Sequence, residues 1–214
     1  AILTPDSLLN ASTSYTVTLI GGAGGIADPV GNTLASDVTW SFTTAALASG
    51  SCATPCSLWD DTATPSILAD SDTNAVELGV KFRSAEDGFI TGIRFYKGAQ
   101  NTGTHVGSLW SATGQLLAQA TFTNETASGW QQVAFDTPVA IQADTLYVAS
   151  YQTPVGRYST DPGYFTAAYS SGPLTAPADG ENGGNGVYQY GPGGFPTNTW
   201  QGANYWVDPM FTTP

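Results

Sequence analysis

The sequence has very little positive charge. Among 214 residues there are 5 Lys plus Arg against 17 Asp plus Glu, a formal net charge of -12. A protein that binds nucleic acid needs clustered cations to neutralise phosphates, so this partner is excluded. With a single Met and only two Lys, the composition is also wrong for a helical bundle or a coiled coil.

Long apolar runs are missing as well. No run reaches the length of about 18 apolar residues that a membrane-spanning helix needs, so no membrane insertion is predicted. The chain is nevertheless 41% hydrophobic and 12% aromatic, enough for a real core rather than disorder. The sequence starts without a charged-then-apolar leader, so any secretion signal is expected outside it. This acidic, Gly- and Thr-rich profile predicts a β protein that is secreted or extracellular; a place on the cell surface agrees with the same profile.

Cysteine is nearly absent: Cys52 and Cys56 are the only two. Their even number and turn-like context favour a small disulfide formed in an oxidising compartment. A redox dithiol usually has a C-x-x-C spacing, and a zinc site would need two more ligands in a chain with one His. Because the loop between them is short, the disulfide is expected to fix a domain entrance rather than to stabilise the fold strongly.

Composition divides the chain near residue 46. The small, uncharged stretch 46–51 is typical of a linker between a first segment, 1–45, and a larger domain, 52–214. In the first segment, residues 15–19 and 38–42 alternate apolar with polar, which predicts half-buried strands. The ordered motifs are STSYTVTL (12–19), DPVGN (28–32) and WSFTT (40–44). With them, residues 8–44 resemble the C-terminal half of a bacterial Ig-like domain of the S-layer type.

The second part shows strand patterns at short intervals and no helical periodicity. The predicted strands are 76–82, 89–96, 106–110, 116–122, 130–135, 145–152, 164–169, 187–190 and 205–211. Many short strands separated by Gly- and Asp-containing turns predict an all-β fold, an antiparallel, jelly-roll-like β-sandwich preceded by the partial Ig-like segment. Residues 160–202 are rich in Gly, Pro and Asn and are predicted to form long loops, where binding sites usually lie.

Five motifs of this part carry a second resemblance. They are VELGVKF (76–82), ITGIRFYKG (90–98), GSLW (107–110), ETASGWQQ (125–132) and NYWVD (204–208). With them, residues 52–211 resemble a family of bacterial extracellular domains of unknown function. The resemblance implies a place beside Ig-like modules in modular secreted proteins, with a sugar-active or adhesive module as a possible neighbour. The architecture is also loosely similar to jelly-roll carbohydrate-binding modules.

No catalytic constellation is evident. His105 is the only histidine, and no Gly-x-Ser-x-Gly elbow accompanies it, so a Ser-His-Asp triad is not predicted and His105 is interpreted as structural. A glycosidase needs only two carboxylates at a set separation, which leaves a hydrolase with an unrecognised pair as a remote alternative. The chain is predicted not to be an enzyme.

Acidic side chains suggest a structural calcium. The segment 70–77 places oxygen ligands at alternate positions, but it lacks the Gly and the terminal Glu of an EF-hand loop. Glu77 lies on the face of its strand opposite the core. Jelly-roll carbohydrate modules hold calcium between an acid near the first strand and one in the last, positions that Glu77 and Asp208 match by order. Asp72, Glu77 and Asp208 are therefore the candidate Ca²⁺ ligands; the alternatives are a solvated acidic turn and an Asp208 that caps its strand.

The cations are concentrated within residues 81–97. Lys81, Arg83, Arg94 and Lys97 could form a site for an acidic sugar, but ordinary pairing with Glu86 and Asp87 is favoured.

Aromatic residues carry the functional prediction. Sugar rings stack their C–H faces on aromatic rings and leave hydroxyls for polar side chains. The predicted ligand-binding residues are Trp200, Tyr188, Tyr190, Tyr164, Tyr158 and Arg157. The predicted function is a non-catalytic carbohydrate-binding module for a polysaccharide or oligosaccharide. A structural or adhesion spacer that contacts protein or the cell surface is the alternative.

Overall fold

A computed structural model of the protein describes residues 13–44 and 55–213. The chain divides into two compact units, Ala1–Ser49 and Gly50–Pro214. The described residues form antiparallel sheets and two short 3-10 turns, so the predicted all-β class is confirmed. Cys52 and the linker 46–51 lie outside the described residues, and the Cys52–Cys56 disulfide stays a prediction.

The strands of the described residues are numbered in chain order. They are β1 (Ser14–Leu19), β2 (Val38–Thr43), β3 (Val76–Ser84), β4 (Gly88–Lys97), β5 (Val106–Ser111), β6 (Leu116–Thr121), β7 (Gly129–Ile141), β8 (Tyr147–Thr153), β9 (Tyr169–Ser171), β10 (Leu174–Ala176), β11 (Val187–Tyr190), β12 (Asn198–Thr199) and β13 (Val207–Thr212). The 3-10 turns are Tyr164–Thr166 and Glu181–Gly183.

Strands β1 and β2 form an antiparallel ladder in the first unit. Their register pairs Tyr15 with Phe42 and Val17 with Trp40. Because side chains alternate along a strand, these apolar residues share one face, and the rings of Tyr15 and Phe42 stack with centroids 5.9 Å apart. Both predicted strands of this segment are confirmed.

Two antiparallel sheets make the sandwich of the second unit. The larger sheet has the order β12-β11-β3-β8-β5-β6, with the β9–β10 hairpin attached at the end of β3. The smaller sheet has the order β13-β4-β7. The alternation of β3 directs Val76, Leu78 and Val80 into the core between the sheets.

An aromatic stack joins the two sheets at the centre of that core. Phe95 of β4 lies on Tyr151 of β8, with ring centroids 4.1 Å apart and planes inclined by 16°. Phe122 meets Phe95 edge-on at 4.9 Å. All three rings are buried, and burying one such ring stabilises the fold by about 1.5–3 kcal/mol. The stack therefore contributes strongly to holding the sheets together.

The loop between β11 and β12 covers the outer face of the larger sheet. Its Phe195 packs on Trp110, with ring centroids 5.8 Å apart, beside Val148 and Val187. Glu77 lies on this outer face, as alternation predicts, yet it is only 2% exposed. The sequence did not predict this burial, because nothing in the strand itself shows that a distant loop covers it.

Candidate ligand-binding site

A pocket of about 340 Å³ lies at the β11–β12 edge of the larger sheet. Its volume is at the lower end of the range of small-molecule sites. The pocket is lined by Asp70, Ser71, Asp72, Val76, Leu78, Tyr158, Tyr188, Tyr190, Trp200 and Tyr205. Two aliphatic residues of β3 and an acidic turn therefore meet a set of five aromatic rings.

The alternation of β11 supplies one wall of the pocket. Tyr188 and Tyr190 pair with Leu78 and Val76 of β3 and lie on the same side of the sheet. Their rings contact each other edge-on, with centroids 5.5 Å apart. Tyr190 is 50% exposed, so its ring is available to a ligand.

Two further tyrosines form the floor, and a tryptophan stands at the entrance. Tyr158 and Tyr205 meet edge-on at 5.6 Å, and Tyr205 meets Tyr188 at 6.4 Å. Trp200, which follows β12, is 47% exposed. A large apolar ring that stays exposed at a concave site is typical of a contact surface rather than of a core.

The acidic turn 70–72 forms the polar rim. Asp70 Oδ1 accepts a hydrogen bond from the Asp72 amide at 2.8 Å, and Asp72 Oδ1 accepts from the Asn74 amide at 2.9 Å. These are Asx turns, in which a short carboxylate fixes its own backbone. The Tyr190 hydroxyl donates to Asp72 Oδ2 at 2.7 Å, which joins the rim to the aromatic wall.

The ionisation of these groups follows from their surroundings. Burial acts to raise the pKa of Asp72, but hydrogen bonds from Asn74 and Tyr190 outweigh it, and the pKa lies below its ordinary value. The bond to Asp72 raises the pKa of Tyr190 to about 12. Burial raises those of Tyr158 and Tyr205, with the charge of Asp70 as the next cause for Tyr158. At neutral pH Asp72 is therefore anionic and these phenols are protonated.

Four of the six predicted ligand-binding residues line this pocket: Tyr158, Tyr188, Tyr190 and Trp200. Arg157 lies behind its rim, where Nη1 donates to the carbonyl of Asp70 at 3.3 Å and the amide donates to the carbonyl of Asp72 at 2.8 Å. Arg157 therefore holds the turn in place.

Tyr164 is elsewhere. Its hydroxyl accepts a hydrogen bond from Trp59 Nε1 at 2.8 Å, and its ring contacts Trp59 and Trp206 at 6.1 and 6.0 Å. It belongs to an aromatic cluster that packs against the core and does not line the pocket.

The candidate calcium ligands lie in three separate networks. Glu77 accepts from the Ser150 hydroxyl at 2.5 Å on the outer face of the larger sheet, and burial raises its pKa to about 7. Asp208 pairs with Arg94 at 2.9 Å on the outer face of the smaller sheet. Glu77 and Asp208 thus belong to different sheets, and their role as calcium ligands stays a prediction. Asp72 alone lies at an open rim, and within residues 13–44 and 55–213 no group of three or more His, Cys, Asp or Glu side chains is placed to hold a metal.

Asp70 and Tyr205 are pocket residues that the site prediction missed. Asp70 was recognised only as part of an acidic segment, and Tyr205 only as part of the NYWVD motif. The Asp70 amide donates to the carbonyl of Tyr158 at 2.8 Å, and the Tyr205 ring contacts Tyr158 and Tyr188; no local pattern reveals such long-range contacts.

Comparison with known families agrees with both resemblances. Residues 1–44 match the family model for the bacterial Ig-like domain. No curated protein matches the chain. None of the described helices is long and apolar enough to cross a membrane. Residues 62–207 match the family model of a domain of unknown function (DUF4082), and because this match covers more than half of the sequence, the chain belongs to that family.

Proposed function

We propose that this protein is a secreted, non-catalytic carbohydrate-binding module of a modular extracellular bacterial protein. The observation that carries the proposal is the pocket itself: five aromatic rings and two carboxylates line one cavity of about 340 Å³. A site with an apolar lining and a few convergent polar groups is the usual form of a small-molecule site. A bacterial Ig-like segment beside it is consistent with a place outside the cell.

The pocket offers complementary contacts to the two kinds of surface on a sugar. The exposed rings of Trp200 and Tyr190 can stack on the apolar C–H face of a pyranose. The carboxylates of Asp70 and Asp72 can accept hydrogen bonds from its hydroxyls, and charge-assisted bonds of this kind are about twice as strong as neutral ones. The pocket volume suits a short segment or chain end rather than a long stretch of polysaccharide.

The setting of the carboxylates supports binding without hydrolysis. Asp70 and Asp72 belong to one turn, two residues apart. A glycosidase general acid needs a raised pKa, whereas that of Asp72 is lowered. Glu77, whose pKa is raised to about 7, lies on the outer face of the sheet and does not line the pocket. Release of reducing sugar from a retained glycan would contradict this part of the proposal.

Replacing Trp200 with alanine is expected to weaken glycan binding about tenfold or more, because an exposed tryptophan at a site entrance is a typical hot spot. A glycan array identifies the ligand, and calorimetry measures the affinity. Trp40→Ala is the matched control, since Trp40 is 45% exposed against 47% for Trp200 but lies in the other unit. Retention of no glycan by the unmodified protein would instead favour a structural or adhesion spacer.

The calcium prediction is carried forward for Asp72 alone, because its carboxylate lies at an open rim while those of Glu77 and Asp208 are buried. A bound calcium is expected to raise the thermal midpoint, since a ligand of the native state stabilises it by mass action. The measurement is melting with EDTA and with added calcium, for the unmodified protein and for Asp72→Asn. An identical midpoint in both buffers would contradict a tightly bound structural ion.

A further inference from the structure

The charged groups of the pocket have one sign. Asp70 and Asp72 are the acidic side chains of its lining, and no Lys, Arg or His belongs to it. The salt bridges of the described residues involve neither carboxylate. Arg157, the nearest cation by contact, uses its Nη1 on the backbone carbonyl of Asp70. No cation of the described part therefore forms a salt bridge with the rim carboxylates.

Asp70 has acceptor capacity to spare. Its Oδ1 accepts one hydrogen bond, from the Asp72 amide at 2.8 Å. No donor among residues 13–44 and 55–213 bonds to its Oδ2. Asp72, in contrast, accepts from two groups of Asn74 and from the Tyr190 hydroxyl. The carboxylate of Asp70 is thus the one that can take a new donor from a ligand.

The aromatic lining, like the carboxylates of the rim, favours a positively charged ligand. The face of an aromatic ring is negative, so a cation within about 6 Å of the ring centroid is attracted to it. Sets of such rings around a pocket are a common way to bind ammonium groups. Asp70 is close to this lining: its amide donates to the carbonyl of Tyr158 at 2.8 Å, and its charge acts with burial to raise the pKa of Tyr158. Carboxylates and ring faces therefore act together on a positive ligand.

We propose that the pocket selects glycans that carry a free ammonium group, such as the C2 ammonium of glucosamine units. The inference rests on the proposed carbohydrate-binding function and specifies the chemistry of its ligand. The ammonium donates to the carboxylate of Asp70 and lies against the tyrosine rings, while the sugar ring stacks at the entrance. Glycans with carboxylate, sulfate or phosphate groups are disfavoured, because a like charge at such a site costs binding energy.

Three β-1,4-linked hexamers that differ only at C2 test this specificity: the glucosamine hexamer, the N-acetylglucosamine hexamer and cellohexaose. Affinities are measured by calorimetry at pH 6 in EDTA, so that no calcium competes for the rim. The glucosamine hexamer is expected to bind about tenfold or more tightly than the two neutral hexamers, as a charge-assisted hydrogen bond contributes. Its advantage is expected to shrink at high salt, because screening weakens a partly exposed ion pair.

Asp70→Asn keeps the shape of the side chain and removes its charge. This variant is expected to lose most of the preference for the glucosamine hexamer and to retain binding of cellohexaose. Glu86→Gln is the matched control, since Glu86 is exposed and does not line the pocket. Thermal melting of both variants verifies that they are folded.

The outcomes separate the inference from the function on which it rests. Equal affinity for the three hexamers, or an unchanged preference in Asp70→Asn, would overturn the ammonium specificity and leave carbohydrate binding standing. If neither these hexamers nor any glycan of the array is bound, both proposals fail.

Discussion

Replacing Arg94 with methionine is expected to lower the free energy of unfolding by about 3–5 kcal/mol, since it leaves a buried carboxylate without its cation. Nε and Nη2 of Arg94 donate to Asp208 Oδ2 at 3.0 and 2.9 Å. Asp208 is fully buried. Burial raises the pKa of Asp208 to about 6 although Arg94 acts to lower it. Without the guanidinium, that carboxyl must either stay charged at high cost or bind a proton.

The loss is expected to exceed that of a single ion pair, because Arg94 also joins three chain segments. It donates to Asp61 at 2.6 Å and to the carbonyl of Trp59, and its guanidinium lies 4.2 Å from the ring centroid of Trp130. Asp208 in turn accepts from the amide of Leu58 at 2.7 Å. The network thus fixes the segment before β3 to the outer face of the smaller sheet.

Asp61→Asn is the matched control for this prediction. It removes the other carboxylate that Arg94 contacts, but the side chain of Asp61 is 90% exposed, and pairs with exposed partners contribute about 0–1 kcal/mol. Urea unfolding measures both variants, and Arg94→Met is expected to lower the thermal midpoint by about 10 °C. Equal losses in the two variants would show that the burial of Asp208 is not what makes Arg94 important.

Strand positions could be predicted from the sequence where the pattern is local. Residues 76–82 and 187–190 alternate apolar with polar side chains, and β3 and β11 lie there. The predicted strand 164–169 is wrong: Tyr164–Thr166 forms a 3-10 turn, and the next strand begins at Tyr169. Gly163, at a φ of 72°, redirects the chain immediately before this aromatic stretch. Aromatic content indicates burial here without indicating a strand.

Charge partners could not be predicted in the same way. Pairing of the cations with Glu86 and Asp87 was favoured because surface ion pairs are common, and it is wrong for the two buried cations. Arg94 pairs with Asp208 and Asp61, and Lys97 with Glu125. These partners lie on other strands and loops, so only the sheet register brings them into contact.

The candidate site contains residues that a local pattern predicts and residues that only long-range packing brings in. Tyr188, Tyr190 and Trp200 lie close together in a loop-rich part of the sequence, so a shared surface was predictable. Asp70 and Tyr205 join them only through the packing of distant segments around β3 and β11. The positions of Glu77 and Asp208 were not predictable for the same reason, because order along the chain does not show which sheet of a sandwich a residue belongs to, and their role as calcium ligands stays a prediction.

Replacing Glu125 with glutamine is expected to lower the free energy of unfolding by about 3–5 kcal/mol, as the variant leaves a nearly buried lysine unpaired. Lys97 Nζ lies 2.7 Å from Glu125 Oε2, and both side chains are 11% exposed. His105 Nδ1 lies 2.8 Å from Oε1 of the same carboxylate, and Nε2 is 2.8 Å from Asn101 Oδ1. Burial lowers the pKa of His105 although Glu125 acts to raise it. The interpretation of this histidine as structural predicts a loss of stability without a loss of glycan binding.

A second variant separates the unpaired charge from the loss of packing. In Lys97→Met with Glu125→Gln both charges of the pair are removed, so no unpaired ammonium remains to be kept away from water. The double variant is therefore expected to recover much of the stability that Glu125→Gln loses. The surface control is Glu86→Gln, whose free energy of unfolding is expected to lie within about 0.5 kcal/mol of that of the unmodified protein. Urea unfolding of Lys97→Met, Glu125→Gln and the double variant gives the coupling energy between the two positions. Purely additive losses would mean that Lys97 and Glu125 stabilise the fold independently, and that the carboxylate acts mainly by orienting His105.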